Sequence, residues 1–475
     1  MEPYLRINFG ADHPGRWNVS EIVMAISRQL KGRPAFEGCR LPPVRVLAHQ
    51  LGVSKNTIHT AYEELKAQGL IESRNRKGLF VQTEQNFLDK IDDKVVPLTQ
   101  MRSISNGAGT NNIRAAAINL STVFIDPRLL PTKKLSDCFR SVLKTPGLTN
   151  FADPQGFSPL REKLAQRLNK RGIAAKAEHI IMTNGSQEAL DLVCRSLKSK
   201  TIATENPAYS TGKALLEMNG LNIVGLPIRP FEGVQLQEWE NLLKYRKPGL
   251  VYLTSSYQNP TGYSYSGEEM SKIIDWSIQY NFGILEDDWG SDMLSYSEFR
   301  PSLRALGGAN VLYMNSFTKK LLPSLRIGYL LSNEENIQSL LYCKKISTVG
   351  VSSIIEAVLF EFLDRGYYDG HLKRVQQELD IRYKHCLDLL RTFMQSEVKW
   401  TAPGGGSCLW LELPKRISLG QLALALEKKK IIIHSSEHSF TDRPHLHGFK
   451  IGYAYLNKKE MQNAIEVLSA TLQKL

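Results

Sequence analysis

Long apolar runs are missing from this sequence. The longest, "GLVYLTSS" and "KIIIHSS", fall far short of the ~20 residues a membrane-spanning helix needs. No basic-then-apolar leader opens the chain. Cysteine is also scarce: Cys39, Cys138, Cys194, Cys343, Cys386 and Cys408 lie far apart with no paired spacing. That spacing argues against a disulfide framework or a zinc cluster and fits reduced core thiols. Internal repeats and strongly biased segments are absent as well. These absences predict a cytoplasmic protein without membrane or metal. Acidic residues are outnumbered, 47 against 60 Lys and Arg, for a net charge of +13 and a pI near 9.3. Such a balance suggests a polyanionic partner.

The 475 residues exceed what one hydrophobic core usually serves, so two or more domains are expected. Residues 84–117, "EQNFLDKIDDKVVPLTQMRSISNGAGTNNIRAAA", show no sustained period and end in a Ser/Asn/Gly/Thr cluster typical of a linker. Residues 1–83 carry 12 Lys and Arg against 7 Asp and Glu, concentrated in "KGRPAFEGCR" and "SRNRKG".

Within that basic first domain, "LPPVRVLAHQLGVSKNTIHTAYEELKAQGLIESRNRKGLFV" predicts a helix from about Val44 to Leu51 and a tight turn at Gly52. A second helix then opens with Ser54 as N-cap. Ile58, Ala61, Tyr62 and Leu65 recur at i, i+3, i+4 and i+7, so they pack inward and leave Lys55, Asn56, Thr57 and His59 on another face. This is helix-turn-helix geometry, with the second helix offering its N-terminal side chains to a major groove. "GLIES" and "GLFVQ" flank the turn "RNRKG" as a wing whose basic tip reaches phosphates or the minor groove. A helical domain serving protein contacts is the competing reading, and the basic wing counts against it.

Beyond the linker, "HIIMT", "KTIATE", "LNIVGLP", "GLVYLTS", "FGILED" and "VLYMNS" alternate with amphipathic stretches, the signature of an α/β domain with a mainly parallel sheet. Four polar segments fall just past strand ends, where open α/β sheets bind ligands. They are Gly185-Ser186-Gln187 opening a helix, Asn259-Pro260-Thr261-Gly262, the carboxylates closing "FGILEDD", and Lys319-Lys320 after "VLYMNS". Taken singly, each has a bland reading: a cap, a turn, a solvated strand end, a charge pair.

In the first domain, Leu41, Pro42, Arg45, Leu47, Ala48, Gly52, Val53, Ser54, Thr57, Tyr62, Gly69, Gly78, Phe80 and Val81 match the pattern of GntR-type winged-helix regulators. The resemblance places Arg45, Lys55, Asn56 and Thr57 at the operator major groove and Lys77 and Gly78 at the wing. Lys55 replaces the commoner arginine, which favours a phosphate or single-bond contact over bidentate guanine reading.

Residues 118–475, with "DPQGFSPLREKLAQRL", "ENPAYS" and "PGGGSCLWLELP" in order, resemble fold-type I pyridoxal-phosphate enzymes of the aspartate aminotransferase class. The resemblance implies a large subdomain over about 150–340 and a smaller α+β subdomain over about 341–475. It makes Lys319 the Schiff-base lysine and Asp287 the partner of the pyridinium nitrogen, with Thr318 and Lys320 as neighbours. Asn259 would meet the ring oxygen and Tyr209 the ring face, while Gly185, Ser186, Gln187 and Arg326 would hold the phosphate. Two positions depart from the family. Trp289 stands where a tyrosine usually meets the ring oxygen, and its indole has no ionisable hydroxyl. Lys450, in "GFKIGYAYL", replaces the arginine that clamps an amino acid carboxylate, a point charge in place of a fork.

Together the two halves resemble the MocR-type subfamily of GntR regulators. That resemblance implies a DNA-binding regulator sensing pyridoxal phosphate, with an amine or amino acid as effector, working as a head-to-tail homodimer on operator DNA. Two alternatives stand beside it: a working aminotransferase with an appended DNA-binding arm, and a dimerisation scaffold that has lost its cofactor.

Overall fold

A computed structural model of the chain describes residues 4–9, 17–30, 36, 38–74, 77–82, 117–145, 153–291 and 300–475. The chain divides into two compact units, Met1–Ile104 and Ser105–Leu475. All of the expected 84–117 linker except Ala117 lies outside the described residues, as do Asn75 and Arg76 of the wing.

In the first unit, helices Val19–Leu30, Val44–Leu51 and Lys55–Ala67 precede a hairpin of β1 (Ile71–Arg74) and β2 (Gly78–Val81). Gly52 caps the second helix in the left-handed region at φ 64, which suits glycine and lets the chain turn within two residues. The Ser54 hydroxyl then accepts from Thr57 N at 3.1 Å and starts the third helix where the sequence predicts. Ile58, Ala61, Tyr62 and Leu65 are buried with Ile22, Ile26 and Leu47. The buried Tyr62 hydroxyl donates to Pro42 O at 2.8 Å, tying the recognition helix to the segment before the second helix.

The second unit begins with β3 (Ile118–Asn119) and then builds its large sheet. Its strands are β4 (Ile180–Thr183), β5 (Thr201–Asn206), β6 (Asn222–Arg229), β7 (Gly233–Val234), β8 (Leu250–Leu253), β9 (Gly283–Asp287), β10 (Val311–Ser316) and β11 (Gly328–Leu331). Their spatial order is β4-β11-β10-β9-β8-β5-β6-β7. Neighbours from β10 through β6 run parallel, while β11 is antiparallel to both β10 and β4. The six sequence-derived strands are all present; all but β6, which is only partly buried, are buried along most of their length, which is why they read as continuous apolar runs. The sequence reading had not placed β11.

A smaller lobe holds β12 (Lys399–Trp400), β13 (Cys408–Glu412) and β15 (Gly448–Gly452) as an antiparallel sheet. The strand β14 (Ile431–Ile432) pairs parallel with β3, so the unit's first residues close the lobe built by its last ones. Helix Tyr367–Phe393 joins the lobes: Tyr368, Leu372, Val375 and Leu379 pack in the large core, and Cys386, Leu389 and Leu390 in the small one. Midway along it Arg382, almost fully buried, pairs with Asp126 at 2.8 Å and donates to Leu456 O at 3.0 Å.

Candidate functional site

The strand ends and the loops behind them converge on one cleft of the second unit. Ser186, Gln187, Tyr209, Asn259, Asp287, Trp289, Thr318, Lys319 and Arg326 line it, together with Phe124, Thr254 and Ser316. Every cofactor residue expected from the sequence is there except Gly185, which adjoins Thr318 and Arg326; the expected effector residue Lys450 adjoins Asn259. A Cβ on Gly185 would lie 3.3 Å from Thr318 Oγ1 and 3.5 Å from Arg326 Nη2, so glycine with φ 83 is needed for this approach. Lys450 Nζ donates to Asn259 Oδ1 at 3.0 Å.

Lys319 and Lys320 point to different environments. Lys319 Nζ sits 4.4 Å from the Trp289 ring centroid and 5.3 Å from that of Tyr209, between two aromatic walls. Lys320 is fully buried beneath the loop, donating to Asn315 Oδ1 at 2.7 Å. Asn315 continues through the Tyr313 hydroxyl (2.9 Å) to Asp288 (2.7 Å), which Arg171 meets at 3.2 Å. Lys320 is therefore a fold residue. Lys320→Ala is expected to cost about 2–4 kcal/mol by leaving a cavity and an unsatisfied amide. Lys319→Ala should cost little, and thermal melts of the two variants check this.

Asp287 ends β9 as a buried carboxyl. Its Oδ2 accepts from the Tyr252 hydroxyl at 3.0 Å, and its Oδ1 has no partner among the described residues. Burial pushes the carboxyl up to about 6, against the pull of the Lys319 ammonium and the Tyr252 hydroxyl. Thr318 Oγ1 is a second buried oxygen of this cleft's lining without a partner among the described residues. Lys450 is drawn below the ordinary lysine range, first by burial and further by the charge of Lys319.

The far end of the cleft is an anion cradle. Helix Ser186–Ser196 starts directly after Gly185, so its first turn and Arg326 line the same end of the cleft, and Arg326 Nη2 donates to Asn184 O at 3.2 Å. Strand β11 explains the arrangement: the chain leaves β10, makes the loop that carries Thr318, Lys319 and Arg326, and returns beside β4. Gly328 must be glycine for that return, since a Cβ there would lie 2.8 Å from Asn315 O and 3.0 Å from Gly185 Cα. Behind the cradle, Glu188 accepts from Asn184 Nδ2 (2.8 Å), the buried Lys344 (2.9 Å) and Thr348 Oγ1 (2.5 Å). The sequence alone does not single out Glu188: Asn184 is near it in the chain, but Lys344 and Thr348 are too distant to reveal the cluster.

In the first unit, Arg45, Lys55, Asn56, Lys77 and Gly78 are exposed and Thr57 is half-buried. The Thr57 hydroxyl lies 2.8 Å from that of Ser54, inside the cap. Arg45 and Lys55 thus stand at the starts of the two helices, and Lys77 and Gly78 at the wing.

Residues 125–468 match the family of aminotransferase class I and II, and residues 18–81 match the bacterial regulatory proteins of the gntR family. The chain belongs to the aminotransferase class I and II family and carries a GntR-type head, the architecture of MocR-like, HTH-type transcriptional regulators. It is 27% identical to the HTH-type transcriptional regulator YisV of Bacillus subtilis, covering 92% of each chain. It is 28% identical to YdcR of Escherichia coli, covering 92% of this chain and 95% of that one. To the regulator NorG of Staphylococcus aureus it is 25% identical, over 83% and 91% of the two chains. Among solved structures, the kynurenine aminotransferase of Pyrococcus horikoshii superposes with a TM-score of 0.74 at 22% identity, over 82% of this chain and 99% of that one. That likeness shows the fold. The aminotransferase class I and II domain is a pyridoxal-phosphate domain, and its cofactor is pyridoxal phosphate.

Proposed function

We propose that the chain is a cytoplasmic transcription regulator whose aminotransferase-type domain holds pyridoxal phosphate through Lys319 and uses its occupancy, with or without an amine or amino acid effector, to set DNA binding by the winged helix. The observation that carries this is a pair of buried oxygens, Asp287 Oδ1 and Thr318 Oγ1, which have no partner among the described residues and belong to side chains lining the same cleft as Lys319. Buried polar atoms without partners are costly, and a ligand with a protonated ring nitrogen at one end and phosphate oxygens at the other satisfies both.

When bound, the cofactor supplies an aldehyde for amines and an electron-withdrawing ring. Lys319 presents the amine between Tyr209 and Trp289. Asp287 accepts from the ring nitrogen, while the Tyr252 hydroxyl fixes the carboxylate's other oxygen. Because Lys450 engages Asn259 Oδ1, the amide nitrogen is left to donate to the ring oxygen. Ser186, Gln187, Thr318 and Arg326 take the phosphate. An effector's anionic group meets Lys450, a point charge already engaged, so an ordinary amino acid is held more weakly than by an arginine fork. The proposal includes a head-to-tail homodimer on paired half-sites, with linker 84–117 passing ligand-dependent change between the domains. A ligand shifts that equilibrium only by its differential affinity for the two states.

Titration with pyridoxal phosphate, followed by absorption and by anisotropy on DNA selected from a random pool, tests this reading. A saturable visible band with a DNA affinity changed by about 5-fold or more is the expected result. No band overturns the cofactor reading and leaves a DNA-binding scaffold. Sustained transamination with a keto acid makes the chain a working aminotransferase.

A further inference from the structure

A short extended segment accompanies the wing hairpin through a single antiparallel bridge, Arg40 to Phe80. Gly38 N donates to Val81 O at 3.0 Å, Val81 N to Cys39 O at 2.9 Å, and Leu41 N to Leu79 O at 2.8 Å, so residues 38–41 run antiparallel beside β2. Strand alternation then sends Leu41 into the core, where it is buried, and Arg40 to the opposite, solvent side, where it is exposed. The Arg40 guanidinium lies over Gly78: a Cβ on that residue would stand 3.1 Å from Nε and 3.3 Å from Nη2. Gly78, at φ 107, leaves the space that the arginine covers.

Arg40 and Arg74 differ in what they touch. Arg74 pairs with Glu72 at 2.9 Å and its guanidinium stacks 4.6 Å from the Phe80 ring centroid, so its charge is largely spent within the wing. The Arg40 side chain has no ion pair or hydrogen bond among the described residues. An exposed guanidinium held against the backbone of a glycine next in the chain to the exposed Lys77 presents positive charge that no acid among the described residues neutralises.

We infer that Arg40 is a DNA-backbone contact of the wing, its guanidinium and Lys77 flanking Gly78 to bind a phosphate of the duplex. The inference rests on the DNA-binding reading of the first unit. It adds a residue from outside the hairpin, one that positions the protein on DNA without reading sequence. An arginine that only shields Gly78 is the competing explanation, and salt dependence separates the two. A phosphate contact releases counterions on binding, so its loss lowers the slope of log affinity against log salt by about 1.

The test uses the full chain, wild type and Arg40→Ala, by fluorescence anisotropy on a random-sequence duplex of three helical turns between ~50 and ~200 mM NaCl. Arg40→Ala is expected to bind about three- to tenfold more weakly at the lower salt, with the slope reduced by about 1. Arg40→Lys should keep the wild-type slope, and thermal midpoints should be unchanged in both. Should the alanine variant melt early, Arg40→Gln keeps the stem over Gly78 and carries the same slope test. A wild-type slope in the charge-removing variants overturns the inference. Failure of the wild type itself to bind at ~50 mM salt overturns the DNA-binding reading instead.

Discussion

Asp287→Asn is expected to weaken pyridoxal phosphate binding by about 3 kcal/mol, on the order of a hundredfold, because it leaves a protonated ring nitrogen facing a neutral amide in a buried site. The same variant should be more stable than the wild type when no cofactor is added. Burial raises this carboxyl from 3.8 to about 6, so holding it ionised at neutral pH costs the empty fold up to about 3 kcal/mol. With the folded value above the unfolded one, that cost is absent below the unfolded pKa, grows as pH rises between the two values, and is complete above about 6. Cofactor affinity runs the opposite way to empty-fold stability, since the ion pair needs the ionised carboxyl. It should be highest above pH about 6 and decline below it in the wild type, and Asp287→Asn should lack that decline. Cofactor titrations and thermal melts from pH 5 to 8 measure both trends. Equal affinity in the variant would remove Asp287 from the ring nitrogen.

Lys319→Ala should abolish the visible band obtained with pyridoxal phosphate and lower its affinity on the order of a hundredfold, leaving the phosphate cradle to hold what binds. Any effect of cofactor on DNA binding should vanish with it. Borohydride reduction of the wild-type complex followed by peptide mapping should place the label on residue 319 and leave 320 bare. The structure gives the reason: Lys319 Nζ stands between Tyr209 and Trp289, whereas Lys320 is fully buried against Asn315. A label on Lys320 would overturn the assignment of the anchor.

Several of these features were readable before any coordinates. Apolar runs such as "HIIMT" and "FGILED" correspond to strands because burial on both faces leaves no room for polar alternation. Ser54 and Gly52 mark the helix-turn-helix because capping is local chemistry. Features made by tertiary return were not readable. Nothing in "GYLL" says that it runs antiparallel between β10 and β4. Nor does anything near Glu188 announce Lys344, or near Gly78 announce Arg40. The choice between Lys319 and Lys320 rested on resemblance, since adjacent lysines have the same local chemistry and differ only in which side of the loop they occupy.

The loop between β10 and β11 carries both Lys319 at one end and Arg326 at the other, so on the proposed reading a single connection holds both chemical handles of the ligand. Both ends of that connection are anchored in the sheet, whose backbone hydrogen bonds involve neither the Lys319 nor the Arg326 side chain. A change confined to Lys319 or Arg326 can therefore erase the cofactor chemistry while sparing the frame, which Lys320 of the same connection helps to hold. This makes ligand dependence in such a regulator cheap to lose and hard to rebuild piecemeal, and it names the stretch to inspect first in any descendant that signals without its vitamin.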